Sequence, residues 1–155
     1  MQISAIMNDA GWMNGDYTRN PAREFEYEVG ALILTTPNDF NRKMTREKVL
    51  AEIGKAQQQV GGFDANDKIR QTQAMISLDV TEKFGGSWEK TAAAVKAKPL
   101  IIVAARDHTV TPQAALTFAA ALGVKPLILE SDCGHMAPSC DWQRVNAAVA
   151  EFLDH

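Results

Sequence analysis

The stretches IIVAARDHTVTPQ (residues 101–113) and LILESDCGHMAPSC (residues 127–140) decide the fold of this chain. Each begins with an unbroken apolar run of strand length, and such runs are typical of parallel strands that are covered on both faces. The segment between them begins at Thr111 and Pro112 and ends at Gly123, as a helix does. The sequence therefore predicts a strand–helix–strand unit with two parallel strands, followed by a last helix that begins at Asp141.

An ionisable side chain follows each predicted strand, Asp107 after the first and His135 after the second. The carboxyl ends of neighbouring parallel strands meet at one edge of a sheet, where ligands of open α/β sheets bind, so we expect the two side chains to meet there. A carboxylate that accepts a hydrogen bond from an imidazole fixes its tautomer and leaves the other ring nitrogen free to take a proton from a nucleophile. Taken alone, Asp107 is also typical of a turn after a strand.

Length and composition favour one globular domain that binds small molecules. The 155 residues are 46% hydrophobic and 23% charged, with a formal net charge of −3. This length is sufficient for a substantial core. No apolar run approaches the roughly 18 residues of a membrane-spanning helix, and no block of lysine and arginine supplies the basic surface that nucleic-acid binding needs. We therefore expect neither a membrane nor a nucleic acid as a partner.

The two cysteines, Cys133 and Cys140, are too few for a disulfide scaffold, and the amino terminus does not have the pattern of a signal peptide. We expect thiols near the end of a buried strand and a cytoplasmic location. Together with His135 the cysteines match no zinc-binding spacing, and a fourth ligand is not evident, so no metal is predicted.

Residues 1–95 contain helical patterns and no convincing strand. After a short segment with helical apolar spacing at residues 1–9 comes a loop rich in glycine and asparagine. Capping residues, prolines and glycine pairs then predict three helices, at residues 21–36, 38–60 and 64–84, the first with Asn20 as its cap. In the third, one side is predicted to carry Ile69, Ala74, Met75, Ile76 and Leu78. Ser87 is predicted to cap a short fourth helix.

From NDAGWMNGDYTRNPAREF (residues 8–25) through KAKPLIIVAARDHTVTPQ (residues 96–113) to DCGHMAPSC (residues 132–140), the chain resembles the C-terminal portion of homoserine O-acetyltransferase-like α/β-hydrolases. The resemblance covers nearly the whole chain. It implies one partial α/β-hydrolase domain, with a helix-rich lid over residues 1–95 and a β-α-β-α unit over residues 96–155. It also implies that Asp107 is the acid and His135 the base of a serine triad.

The resemblance implies substrate contacts at Trp12, Tyr17 and Arg19 in the lid loop and at Met136 beside the histidine. Met136 stands where homoserine acetyltransferases have an aspartate that holds the amino-acid substrate, which favours a generic ester or acyl group over homoserine. Packing is an equally good interpretation of the two aromatic residues, and solvation the better one for Arg19. No bound cofactor is expected, and acetyl-CoA or another acyl-CoA is a candidate co-substrate.

The nucleophile of the family is missing from the sequence. No G-x-S-x-G elbow occurs, and Ser87 in FGGSWEK follows no predicted strand, so it is predicted to be a helix cap. The loop that would form the oxyanion hole is missing as well. Because Met1 falls within the segment that resembles the family, we expect a truncated or internally started polypeptide, or equally a recombinant fragment, that is inactive alone.

Two functions remain open from the sequence. The first is acyl transfer or ester hydrolysis in which a serine outside this sequence is the nucleophile. The second is a non-catalytic helical α/β module that dimerises or binds a small ligand. In both cases a two-stranded sheet would leave an edge exposed. The lid helices could fold back to cover it, but we expect a homo-oligomer or a partner chain to do so.

Overall fold

The computed structural model describes residues 2–21, 29–30, 32–58 and 63–154. In these ranges the helices are α1 (Gln2–Asn8), α2 (Pro37–Lys43), α3 (Arg46–Gln58), α4 (Ala65–Ser77), α5 (Trp88–Ala94), α6 (Gln113–Leu122), α7 (Ala137–Cys140) and α8 (Trp142–Leu153). The strands are β1 (Ile102–Ala104) and β2 (Leu127–Leu129). Short 3₁₀ turns occupy Ala10–Gly15, Glu82–Phe84 and Gly134–Met136. The chain divides into two compact units, the first formed by Met1–Ala31 and Met44–Leu78 and the second by Leu32–Lys43 and Asp79–His155.

The first unit is built around the contact between α1 and α4. Ile6 of α1 is buried against Ala65 and Ile69 of α4, and the aromatic rings of Trp12 and Tyr17 pack on this cluster. The first turn of α4 is capped because the Asp64 carboxylate accepts hydrogen bonds from the amides of Asn66 and Asp67 at 2.9 and 3.1 Å. The segment after α1, predicted as a loop, is a 3₁₀ turn.

The third predicted helix was too long. Helix α4 ends at Ser77, and the carboxylate of Asp79 accepts hydrogen bonds from the amide and the hydroxyl of Thr81 at 2.8 and 2.7 Å. Such a local bond offers the backbone an alternative to the helix, which explains the early end. Of the side chains predicted to share one face, Ile69 is buried, while Met75, Ile76 and Leu78 are exposed.

The second predicted helix is two helices, α2 and α3, separated at Met44 and Thr45. The Thr45 carbonyl accepts the first hydrogen bond of α3 from Val49 at 3.0 Å, so a new helix starts at this point. The break coincides with the boundary between the two units. Half of the helix predicted for residues 21–36 lies outside the described residues, and residues 29–30 and 32–33 are helical as predicted. The side-chain oxygen of its predicted cap, Asn20, accepts from the amide of Ala65 at the start of α4.

The second unit contains the predicted β-α-β-α arrangement. Strands β1 and β2 are parallel, with Val103 opposite Ile128. Helix α6 connects them and ends at Gly123, which has a left-handed φ of 66°. Leu129 of β2 is fully buried, and Val145 of α8 packs on the cluster that it forms. The described residues therefore form a helix-rich α/β structure with a two-stranded parallel sheet, as the sequence predicted.

Cys133 and Cys140 form a disulfide with their Cα atoms 6.5 Å apart. The expectation of free thiols was therefore wrong. The pairing could not be predicted, because the positions of two cysteines in a sequence do not reveal whether a turn brings them together. Disulfides persist mainly in oxidising compartments, so the bond gives no support to the predicted cytoplasmic location, which stays a prediction. No helix in the described part of the chain combines the length and the apolar character needed to cross a membrane.

A buried carboxylate stabilises α2. The Asp39 side chain is only 3% exposed, and it pairs with Lys43 at 2.7 Å and Arg42 at 3.1 Å. The hydrogen bond from Lys43, supported by Arg42, holds the pKa of Asp39 below its usual value even though burial alone would raise it.

We expect Asp39→Asn to lower the free energy of unfolding by about 2 kcal/mol at pH 7, because two charge-assisted hydrogen bonds are weakened. A lowered pKa favours the ionised folded state, so the stability from Asp39 is present above the unfolded pKa of about 3.9 and is lost as the pH falls through the folded pKa. Urea unfolding at several pH values measures this. Glu52→Gln, which removes the surface pair with Lys55, is the control, with an expected effect below about 0.5 kcal/mol.

Candidate catalytic site

Asp107 and His135 are in contact at the carboxyl ends of the two strands. Asp107 lies in the turn that follows β1, and its amide donates to the carbonyl of Ala104 at 3.3 Å. His135 lies in the 3₁₀ turn that follows β2. Its Nδ1 is 2.8 Å from Oδ2 of Asp107. The parallel strands thus bring together the two side chains that the sequence predicted would meet.

The two carboxylate oxygens of Asp107 have different partners. Oδ1 accepts hydrogen bonds from the amides of Thr109 and Val110 at 2.7 and 2.9 Å, which closes the turn after the strand. Oδ2 contacts His135. Asp107 is therefore both a turn residue and the partner of a histidine. The turn holds the carboxylate in place, so its second oxygen points at the imidazole without further ordering.

The electrostatics of the pair fix the histidine tautomer. Burial raises the pKa of Asp107, but hydrogen bonds from its own turn and from His135 outweigh burial, so this pKa lies below the usual value. At neutral pH the carboxylate is ionised and can only accept, so Nδ1 of His135 carries the hydrogen. In the neutral imidazole the lone pair then lies on Nε2, for which no hydrogen bond is found among the described residues. The His135 side chain is 36% exposed, and Nε2 is available to accept a proton.

The segment Ile33–Thr36 holds both loops of the site. The hydroxyl of Thr109, in the loop of Asp107, donates to the Ile33 carbonyl at 3.0 Å. The amide of Met136, next to the histidine, donates to the Leu34 carbonyl at 3.3 Å. The amide of Thr36 donates to the carbonyl of Asp132, in the loop before the histidine, at 3.1 Å. This segment could not be predicted, because backbone contacts between distant parts of a chain leave no residue pattern in the sequence.

Gly134 allows the histidine turn to lie against this segment. Its φ is +59°, and a Cβ atom at this position would lie 3.1 Å from Cα of Thr35 and 3.2 Å from the Leu34 carbonyl oxygen. Both neighbouring atoms belong to backbone, which gives way less readily than a side chain. The glycine before the histidine was the available sequence signal for this close approach. The Cys133–Cys140 disulfide closes the loop that contains the turn.

The predicted substrate contacts of the lid loop belong to the first unit. The indole Nε1 of Trp12 donates to Asn66 at 2.8 Å, and the Tyr17 hydroxyl donates to Asp64 at 2.5 Å. Burial, with help from Asp64, raises the pKa of Tyr17. Both rings also pack on the core of the unit, in agreement with the packing interpretation. Arg19 is exposed.

Other residues that the sequence raised as candidates have simpler roles. The hydroxyl of Ser87 accepts from the amide of Lys90 at 3.2 Å and so caps α5, as predicted. Met136 is 41% exposed. Within the described residues, no three His, Cys, Asp or Glu side chains are grouped to hold a metal ion. That the protein needs no metal or cofactor stays a prediction.

No protein-family model matches the sequence, and no curated protein matches it. Among solved structures, the chain is similar to the acetyl esterase MekB, with a TM-score of 0.83 and 20% sequence identity. The match covers 99% of this chain and 49% of the esterase, so the chain spans about half the length of that protein. At this identity the similarity shows the fold alone, a helix-rich α/β fold like that of the esterase.

Proposed function

We propose that the chain supplies the acid and the base of an α/β-hydrolase-type enzyme for acyl transfer or ester hydrolysis, similar to homoserine O-acetyltransferases. Its serine nucleophile would come from residues outside this sequence, so the chain alone is inactive. The observation that carries the proposal is the 2.8 Å contact between Nδ1 of His135 and Oδ2 of Asp107, at the carboxyl ends of adjacent parallel strands. The likeness to an acetyl esterase supports it.

The mechanism follows from the tautomer of His135. A serine oxygen attacks the acyl carbon of the substrate while Nε2 of His135 takes the serine proton. The ionised Asp107 stabilises the imidazolium through the Nδ1 hydrogen bond. The imidazolium then returns the proton to the leaving alcohol or thiol as the acyl–oxygen or acyl–sulfur bond breaks. Water, or an acceptor hydroxyl, repeats the sequence and releases the acyl group from the serine.

The substrate class follows in part from Met136. A thioether beside the histidine cannot form an ion pair with the amino group of an amino-acid substrate, as an aspartate would. An uncharged small ester therefore suits this position better than homoserine. In the acyl-transfer version of the proposal, acetyl-CoA or another acyl-CoA is the donor, and residues 1–95 form the lid over the bound acyl group.

The proposal also accounts for the incomplete sheet. In the described residues the sheet has two strands, and Ile128 at the centre of β2 is 39% exposed. An apolar strand with an open edge favours association, and the chain spans only half of the esterase that it resembles. A partner chain that carries the serine, or a second copy of this chain, would cover the strands.

A non-catalytic, ligand-binding module is the second candidate. It is favoured by a cavity of about 440 Å³ within the first unit, lined by apolar and polar side chains that include Met7, Trp12 and Arg70. A cavity of this size is within the range that holds small ligands. Under this alternative, the Asp107–His135 contact would be a remnant of an ancestral active site.

Labelling with a fluorophosphonate probe separates the two functions. We expect no labelling of the chain alone, because the Ser87 hydroxyl contacts the amide of Lys90 and the Glu89 carboxylate rather than a histidine. The part of MekB that this chain does not match is then added, and assembly is verified by gel filtration. We expect the assembled pair to be labelled and to hydrolyse p-nitrophenyl acetate.

His135→Ala in the same assembly should abolish both labelling and hydrolysis. Labelling of the isolated chain would contradict the claim that it has no activated nucleophile. An assembly whose activity survives His135→Ala would show that the histidine is not the base. Small-ligand binding by an assembly that is never labelled would favour the non-catalytic module.

A further inference from the structure

We propose that Asp132 is a positioning residue that aligns Asp107 with His135 from outside the pair. The inference rests on the proposed function, because alignment matters only if the pair transfers a proton. Asp132 lies in the loop between β2 and the histidine turn, three residues before His135. Its carboxylate pairs with Arg106, the residue that immediately precedes Asp107. A single ion pair therefore connects the loop of the acid directly to the loop of the base.

A second arginine binds the other oxygen of the same carboxylate. Arg106 donates to Oδ1 of Asp132, and Arg42 of α2 donates to Oδ2 at 3.3 Å. The backbone carbonyl of Asp132 also accepts from the amide of Thr36 at 3.1 Å. Asp132 is therefore held at three points, two on its side chain and one on its backbone. With the carboxylate held from two sides, the position of the loop is determined more closely than by either pair alone.

The second arginine is itself fixed in place. Arg42 donates through Nη2 to the buried Asp39 at 3.1 Å while its Nη1 contacts Asp132. Lys43 pairs with the other oxygen of Asp39. Charges of alternating sign thus extend from α2 to the end of β1. This series of ion pairs begins at a buried side chain of the second unit, that of Asp39.

Stability alone gives a weak reason for this arrangement. The side chains of Arg42 and Arg106 are 61% and 48% exposed, and that of Asp132 is 21% exposed. Exposed ion pairs contribute little to the free energy of unfolding. Their geometry matters more, because a displacement of about 1 Å between catalytic groups can reduce a rate about 100-fold. The network acts on the relative position of two loops, and each loop carries one member of the pair.

Nuclear magnetic resonance of the isolated chain tests the inference without any catalysis. The readout is the solvent-exchange rate of the His135 Nδ1 proton, which the hydrogen bond to Asp107 protects. We expect Asp132→Asn to raise this rate by about fivefold or more, and Arg106→Gln to do the same. Asp132→Asn and Arg106→Gln remove the same ion pair. In the double variant the Nδ1 proton should therefore exchange little faster than in either single variant.

Asp141→Asn is the matched control. The Asp141 side chain has a similar exposure of 27% and also faces an arginine, Arg144 at 3.9 Å, but its carboxylate has no ion pair with either loop. Its exchange rate should stay within about twofold of the wild type. Arg106 is half exposed, so Arg106→Gln keeps the test decisive even if Asp132→Asn fails to fold. Exchange within twofold of the wild type in Arg106→Gln would overturn the inference. Because this readout needs no nucleophile, a negative result here is distinct from failure of the assembled enzyme to hydrolyse esters.

Discussion

Asp107→Asn is expected to lower kcat for p-nitrophenyl acetate in the assembled enzyme by about 10⁴-fold. Asparagine can still accept the turn amides of Thr109 and Val110 through its oxygen, so the turn should persist. The amide nitrogen would then face Nδ1 of His135 and donate to it. The imidazole hydrogen would move to Nε2, and the atom that takes the serine proton in the proposed mechanism would no longer have a free lone pair.

The control for this change is Asp79→Asn. Oδ1 of Asp79 also accepts from the amide two residues later, at 2.8 Å, so this carboxylate closes a similar local turn in the same unit. It has no histidine partner among the described residues, and we expect Asp79→Asn to leave kcat within about twofold of the wild type. A loss in Asp79→Asn as large as that in Asp107→Asn would mean that activity depends on turns in general. Wild-type kcat in Asp107→Asn would remove the carboxylate from the mechanism.

The sequence was sufficient to predict the contact at the centre of this site. Two apolar runs separated by one helix can form a parallel pair, and parallel pairing places Asp107 and His135 at the same edge. The order of the elements thus determines which side chains meet. The geometry of their turns follows from local chemistry that the sequence also contains, an aspartate two residues before a threonine and a glycine before the histidine.

The surroundings of the pair could not be predicted in the same way. The segment Ile33–Thr36 contributes two backbone carbonyls and one amide; any residue can supply the carbonyls, and any residue except proline the amide. Asp132 had no distinguishing pattern either, because its partners Arg42 and Arg106 are far apart in sequence. The end of α4 at Ser77 was missed because Asp79 favours a local turn over continuation of an apolar pattern. Contacts between distant residues therefore explain why the segment Ile33–Thr36 and Asp132 were not predicted, and a local turn explains the end of α4.

Gly134→Ala is expected to lower the free energy of unfolding by about 2–3 kcal/mol and kcat of the assembled enzyme by about 100-fold. The first reason is the positive φ of 59°, which disfavours alanine. The second is steric, since the added Cβ would lie 3.1 Å from Cα of Thr35. To relieve this contact the turn must move away from Ile33–Thr36, and the imidazole of His135 moves with it. Urea unfolding and ester hydrolysis measure the two effects.

Gly123→Ala separates the two reasons. Gly123 ends α6 with a φ of 66°, nearly the same as that of Gly134, but a Cβ atom there would meet nothing within 4 Å. Its replacement by alanine should therefore have only the effect of the positive φ. We expect it to lower the free energy of unfolding by about 1 kcal/mol and to leave kcat unchanged. The excess loss in Gly134→Ala then measures the contact with the Thr35 backbone. Equal effects of the two changes on stability and on kcat would mean that the histidine turn does not depend on its close approach to this segment, and that other contacts place His135 against Asp107.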